Sequence, residues 1–189
     1  MKCYPDAVRA FLTKALFLKG MTMEGKEQIL AQVLPRAVLE PLTPEARVAL
    51  PQIVRNIGYV VIHKFPFRVG RESRVRATER GLERVERHRL VDDAVPNNDL
   101  YLVDSGQYLN ISREHMLIEI RDGAYVLVDR GSACGSRVGD VAIGGGDQLG
   151  AAHLHDGDII QLGVKSSPYQ YRFISFDGFV LMKKKARHA

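Results

Sequence analysis

The 189 residues are 46% hydrophobic and 26% charged, a balance that excludes a disordered chain and suits one ordinary domain with a smaller appendage. A net charge of +5 favours acidic partners without choosing among nucleic acid, anionic lipid and phosphorylated protein. No apolar run approaches the roughly 20 residues that span a bilayer, and no signal-peptide pattern opens the chain, so a cytoplasmic protein is expected.

In chain order, the segment before Gly58 reads as helical. Val8, Leu12 and Ala15, with Phe11 and Leu18, recur at spacings of three, four and seven, which predicts an amphipathic helix ending near Gly20. Thr22 is placed to cap a second helix whose apolar face is Ile29, Leu30, Val33 and Leu34, before Pro35. Thr43-Pro44-Glu45 predicts a third start, with a hydroxyl cap and a proline at the first helical position. That helix should run toward Asn56, kinked or divided at Pro51.

After Gly58 the period shortens to two. Strands are predicted at Tyr59 to Ile62, Phe67 to Val69 and Leu100 to Val103. Two β-rich runs, 116–121 and 124–128, flank Asp122-Gly123 and predict a hairpin with a type I′ turn. Further strands are expected at Val141 to Ile143, Ile159 to Leu162 and Tyr169 to Phe176, with a turn at Asp156-Gly157. Many short strands at close turn spacing imply a β-sandwich, so the fold class is mainly β with a small N-terminal α-helical region. The expected division is 1–57 helical, 58–178 sandwich and 179–189 a basic tail, with a charged insertion at 72–96. Arg71 to Arg89 holds seven arginines and four glutamates, which reads as a solvated loop or short helix with internal ion pairs, or else as an electrostatic collar near an anion site.

Within the β-rich half, five short motifs follow one another. They are Gly70-Arg71 after a strand, Asn98-Asp99-Leu100, Ser112-Arg113-Glu114-His115 before a strand, the run Asp129 to Ser136 after the hairpin, and the run Leu154 to Gly163. In that order they resemble the forkhead-associated (FHA) domain, over roughly Tyr59 to Phe176. The resemblance implies an FHA-like antiparallel β-sandwich that binds phosphothreonine-containing peptides. By it, Arg71, Ser112, Arg113, Cys134 and Ser136 are the phosphopeptide-binding residues. Gly70, His115 and Gly135 would support the site, Gly70 by letting the backbone turn and His115 by bracing the loops from behind.

The chemistry agrees with the resemblance. A phosphothreonine brings close to two negative charges and three acceptor oxygens, and arginine offers a fixed fork of donors to such a group. One position departs from the family pattern. Cys134 stands where the family has an asparagine that grips the peptide backbone, and a thiol is a much poorer partner.

No nucleophile with a base, HExxH or GxxxxGK[ST] occurs, and Gly144-Gly145-Gly146 lacks the lysine of a phosphate loop, so no enzyme is expected. Cys3 and Cys134 form no CxxC pair, free thiols being the simplest account. His153 and His155 alternate in a strand-like segment, without the carboxylates or thiols that would complete a metal site. Neither metal nor cofactor is expected. The expected function is an adaptor in serine/threonine-kinase signalling, whose partner is a phosphothreonine-containing protein, a kinase or its substrate, with no membrane partner. The N-terminal helices would pack on the sandwich or support a homo-oligomer. The alternatives are a phospho-independent scaffold and, less favoured, a nucleic-acid binder using the arginine-rich insertion. The glutamates interleaved there and the absence of an aromatic stacking pattern count against the latter.

Overall fold

The computed structural model describes residues 25, 29–30, 32–72, 75–78, 81–84, 97–106, 108–146 and 148–178. The chain divides into two units, Met1–Pro35 and Arg36–Ala189. In the first unit, residues 29–30 and 32–33 are helical, on the expected second helix. The expected first helix, Gly20, Thr22, Cys3, most of the charged insertion and the basic tail lie outside the described residues.

The second unit is built on two sheets. Its elements are β1 (Ala37–Pro41), α1 (Pro44–Ala49), α2 (Gln52–Ile57), β2 (Val60–Ile62), β3 (Phe67–Arg71), β4 (Val75–Thr78) and β5 (Gly81–Arg84). There follow β6 (Leu100–Leu102), β7 (Met116–Arg121), β8 (Ala124–Asp129), β9 (Ser136–Val138), β10 (Val141–Ile143), β11 (Ala151–Leu154), β12 (Ile159–Leu162) and β13 (Gln170–Ser175). One sheet has the order β10-β9-β12-β13-β1-β2 and the other β11-β8-β7-β3-β6. All pairings within these two sheets are antiparallel except β3 with β6, which run parallel. The inward residues of both sheets, among them Leu39, Ile62 and Phe173 from one and Val69, Ile118 and Leu127 from the other, form a single buried core. Tyr125 of β8 meets Phe173 of β13 edge to face at 5.1 Å, an aromatic contact across the two sheets.

The local signals explain the best-defined turns. Asp122 and Gly123 both take positive φ, 50° and 82°, as a type I′ hairpin requires. Thr43 caps α1 by accepting a hydrogen bond from Ala46 N–H at 3.0 Å, and the helix stops before Pro51, which cannot donate to continue it. The predicted third helix is therefore two. α2 ends on Gly58 in the left-handed conformation.

Three expectations are corrected. The stretch before Gly58 is not wholly helical: β1 lies between β13 and β2 within the larger sheet. Four of its five residues are buried, Val38 on one face as well as Ala37, Leu39 and Pro41 on the other, so the apolar run Ala37-Val38-Leu39 shows no alternation that marks it as a strand. The residues expected as 1–57 thus contribute a strand and two helices to the unit that carries the sandwich. The insertion, read as a loop or short helix, contains instead an antiparallel ribbon in which β4 and β5 pair from Val75↔Arg84 to Thr78↔Gly81. His155 lies beyond β11 rather than in it, with Nδ1 3.3 Å from Asp158. Among the described residues no cluster of three metal-ligating side chains occurs, and no helix is long and apolar enough to cross a membrane.

Candidate functional site

Three chain segments meet at the end of β3. The segment 112–115 is laid directly on that strand: Arg71 N–H donates to Ser112 C=O at 2.8 Å, and His115 N–H donates to Val69 C=O at 3.1 Å. Gly70 makes this approach possible. A Cβ there would lie 2.0 Å from the Arg113 carbonyl oxygen and 2.6 Å from Asn98 Nδ2. The glycine sits inside β3, so it serves close contact between backbones and not the turn expected of it.

The second segment follows β8. Asp129, buried at its end, accepts from Gly131 N–H and Ser132 N–H at 2.9 Å each, and from the Ser132 hydroxyl. Ser132 Oγ in turn accepts from Gly135 N–H at 2.9 Å. This folds residues 129–135 into a tight turn that presents Ala133 N–H to Ser112 Oγ at 3.0 Å. The third segment is the glycine turn, whose Gly146 N–H donates to Ala133 C=O at 3.1 Å.

His115 joins the first two segments from behind. Its Nδ1 accepts from Ser112 N–H at 2.9 Å, which places the ring proton on Nε2, and Nε2–H then donates to Gly135 C=O at 3.0 Å. The ring is fully buried, and burial pushes its pKa down to about 4, outweighing the attraction of Asp129 and Asp104. At neutral pH it is an uncharged brace with a fixed tautomer.

In front of these segments lies an open hollow of about 750 Å³. Arg71, Ser112 and Arg113 all line it. Arg71 is aimed by its Nε–H, which donates to Ile111 C=O at 2.9 Å, and its terminal nitrogens have no partner among the described residues. The guanidinium of the exposed Arg113 has no described partner either, while its carbonyl accepts from Asn98 Nδ2 at 2.7 Å. The hollow thus offers two guanidinium groups without a carboxylate partner among the described residues, and a hydroxyl, at one place, a donor set suited to a tetrahedral anion.

The lining includes residues that the motif reading did not assign to the site. Arg130 donates to Asn98 Oδ1 at 2.6 Å and to Glu114 Oε2 at 3.0 Å, and Asn97 Nδ2 donates to Glu114 Oε1 at 2.8 Å. Arg130 stands inside the Asp129 to Ser136 motif, and its charge beside Arg71 and Arg113 was the available signal. Three guanidinium groups and the Glu114 carboxylate leave the lining with a formal excess of two positive charges.

Two residues expected to contact ligand are not among the lining. Cys134 directs its thiol to Leu109 C=O at 3.5 Å. Ser136 is buried in β9, where Ser136 and Val138 face the core and Arg137 faces outward, and its Oγ has no hydrogen-bond partner among the described residues. Gly135 has φ 69°, and a Cβ there would lie 2.9 Å from the carbonyl oxygens of Ile143 and Gly144.

A family model described as the FHA domain matches residues 68–163, just over half the chain. A structure from work on phosphothreonine-dependent FHA domain interactions is 16% identical, with a TM-score of 0.42, 73% of this chain and 94% of that one being covered. The FHA domain of an Arabidopsis thaliana hypothetical protein is 20% identical, with a TM-score of 0.43 over 82% of this chain and 94% of that one. Mycobacterium tuberculosis EmbR in complex with a low affinity phosphopeptide is 19% identical, with a TM-score of 0.42 over 80% of this chain and 29% of that one. No curated protein matches.

Proposed function

The chain belongs to the FHA domain family, and from that premise we propose that it is a phosphothreonine-dependent peptide-binding adaptor in serine/threonine-kinase signalling. The observation that carries this reading is the convergence of Arg71, Ser112 and Arg113 on one hollow, with both guanidinium groups free of carboxylate partners among the described residues. A phosphate dianion matches the formal excess of two positive charges in that lining. The partner is a protein phosphorylated on threonine, a kinase or a kinase substrate.

The binding is not catalytic. The residues gathered at the hollow hold and orient an anion, and the histidine behind it is committed on both ring nitrogens to backbone groups. Phosphate and peptide are recognised by charge-assisted hydrogen bonds from Arg71 and Arg113, with the Ser112 hydroxyl as a neutral partner.

The test is fluorescence anisotropy with phosphothreonine peptides and their unphosphorylated counterparts at low salt. Phosphorylated peptides should bind and the others should not. Arg71→Ala should abolish the difference, because it removes a charge-assisted contact worth about 1.5–3 kcal/mol, roughly 10- to 150-fold in affinity. Equal binding of both peptide forms would refute the reading and select a phospho-independent scaffold.

A further inference from the structure

The stretch just ahead of the family match turns four large apolar side chains to solvent. Ile53 is 73% exposed, Ile57 58%, Tyr59 44% and Val61 37%. Val54 packs on the core, so α2 is anchored by one face and presents Ile53 and Ile57, one helical turn apart, on another. Gly58, left-handed, turns the chain from α2 into Tyr59 and β2. Ile57, Tyr59 and Val61 follow at intervals of two residues, within about 7 Å from one α-carbon to the next. Together the four make one patch of about 400 Å², comparable to the largest apolar patch of an ordinary monomer, which is often functional.

The patch runs onto an open sheet edge. β2 ends the larger sheet, with β1 on one side and no strand on the other among the described residues. Exposed edges are ordinarily blunted by charged side chains or proline, and the run Tyr59-Val60-Val61-Ile62 has neither. Val60 and Ile62 are buried in the core, whereas Val61 stands on the outer face, in register with Val38. An antiparallel strand can pair with its own copy about a two-fold axis, so one chain already carries both halves of the contact. Covering the patch on both copies removes about 800 Å² of apolar surface from water. At the usual apolar share of about 57%, the whole interface is about 1,400 Å², inside the range of about 1,200–2,000 Å² that stable complexes bury.

We infer that a second copy of the chain covers this surface. β2 pairs antiparallel with β2 of the other copy, the larger sheets continue across a two-fold axis, and the α2 isoleucines add apolar contact beside the junction. The drive is apolar burial, while charge opposes it. Residues 46–64 include Arg47, Arg55 and Lys64 but no carboxylate, and each chain carries a net +5. Salt screens that repulsion and therefore tightens the dimer, whereas it weakens the grip of arginines on a phosphate. None of the four patch residues lines the hollow, so the inference does not depend on the phosphopeptide reading.

The experiment is sedimentation equilibrium of the full chain over a concentration series at low and high sodium chloride, with amide hydrogen exchange on the same samples. Ile53→Ser/Ile57→Ser alters the helix and Val61→Lys the strand. Val141→Ser, which removes an exposed apolar residue from β10 at the opposite end of the same sheet, serves as control. The wild type and the control should form a dimer that tightens as salt rises, and exchange over residues 59–62 should slow as the dimer forms. Both patch variants change exposed side chains, so they should keep the wild-type circular dichroism and phosphopeptide affinity while weakening the dimer more than about tenfold. A wild type that stays monomeric at every concentration and salt would overturn the inference. So would a dimer that survives in both patch variants, one that Val141→Ser abolishes, or one that salt loosens. Failure of phosphopeptide binding with the dimer intact would sink the reading of the hollow and leave this interface standing.

Discussion

Gly70→Ala tests whether the hollow depends on backbone contact rather than on its charged side chains alone. The added Cβ would sit 2.0 Å from the Arg113 carbonyl oxygen, and 3.0 Å is the least that real contacts show, so the two backbones must part by about 1 Å. The obstacle is main chain, which cannot swing aside as a side-chain tip does. Parting them stretches the Arg71 N–H to Ser112 C=O bond, now 2.8 Å, and the Asn98 Nδ2 to Arg113 C=O bond, now 2.7 Å. Overpacking of this kind costs about 1–3 kcal/mol, and each weakened hydrogen bond about 0.5–1.5 kcal/mol. The lower entropy of the unfolded alanine chain offsets about 0.4–1 kcal/mol. A net loss of about 2–4 kcal/mol follows, read as a lower urea midpoint at unchanged slope. The folded fraction should also lose phosphopeptide affinity, because Ser112 and Arg113 move away from Arg71. Gly58→Ala is the control: nothing lies within 4 Å of its Cβ, and its φ of 88° brings local strain of about 1–2 kcal/mol without touching the hollow. A Gly70→Ala protein as stable as wild type, with the same peptide affinity, would refute the close-approach argument.

The buried His115 predicts a pH dependence of stability. The unfolded imidazole takes its proton near pH 6.5 and the folded one only near 4, so the native state binds fewer protons between those values; the stability is complete above pH 6.5 and about 3 kcal/mol of it is lost as pH falls toward 4. Urea titrations from pH 7 to 4 should show this slope, and His115→Gln should flatten it even though the variant is less stable at pH 7. Ser136→Ala removes a buried hydroxyl without a partner among the described residues, so thermal unfolding should show unchanged or slightly raised stability, by up to about 1 kcal/mol, with phosphopeptide affinity unaltered. A loss of affinity there would return Ser136 to the ligand.

The parts of the fold legible in the sequence are those fixed by neighbours along the chain. Asp122-Gly123 specifies its turn through two adjacent φ angles, and Thr43-Pro44 specifies a helix start through one hydroxyl and one missing N–H. β1 is not of this kind. Its pairing with Ile62 and Ser175 is non-local, and burial on both faces removes the alternation that separates a half-buried strand from its surroundings. The site divides in the same way. Arg71 and Ser112 stand in recognisable motifs, whereas Arg130 reaches Asn98 and Glu114 over separations of 32 and 16 residues, which only the folded sheets bring together. Ser136 shows the converse failure. Its place in a motif suggests ligand contact, but strand periodicity turns it inward one residue before Arg137 turns out.

The hollow is also unusual in what supports it. Asn98, Asp104, His115 and Asp129 are all buried, and each ties down a loop at this end of the sandwich. Burying such groups is costly unless they are hydrogen-bonded, and replacing a buried polar network with apolar packing is often neutral or stabilising. Here the networks are well satisfied: Asp104 accepts four hydrogen bonds, Asp129 three, and His115 uses both ring nitrogens. What they provide is direction, because a hydrogen bond fixes an angle where an apolar contact does not. A phosphate held by two arginines and a hydroxyl needs those donors within a fraction of an ångström of their bound positions, or the ordering must be supplied from binding energy. The four buried polar residues supply it during folding. Phosphate affinity should therefore fall when any of them is altered, even though none of the four has a side chain among the residues that line the hollow.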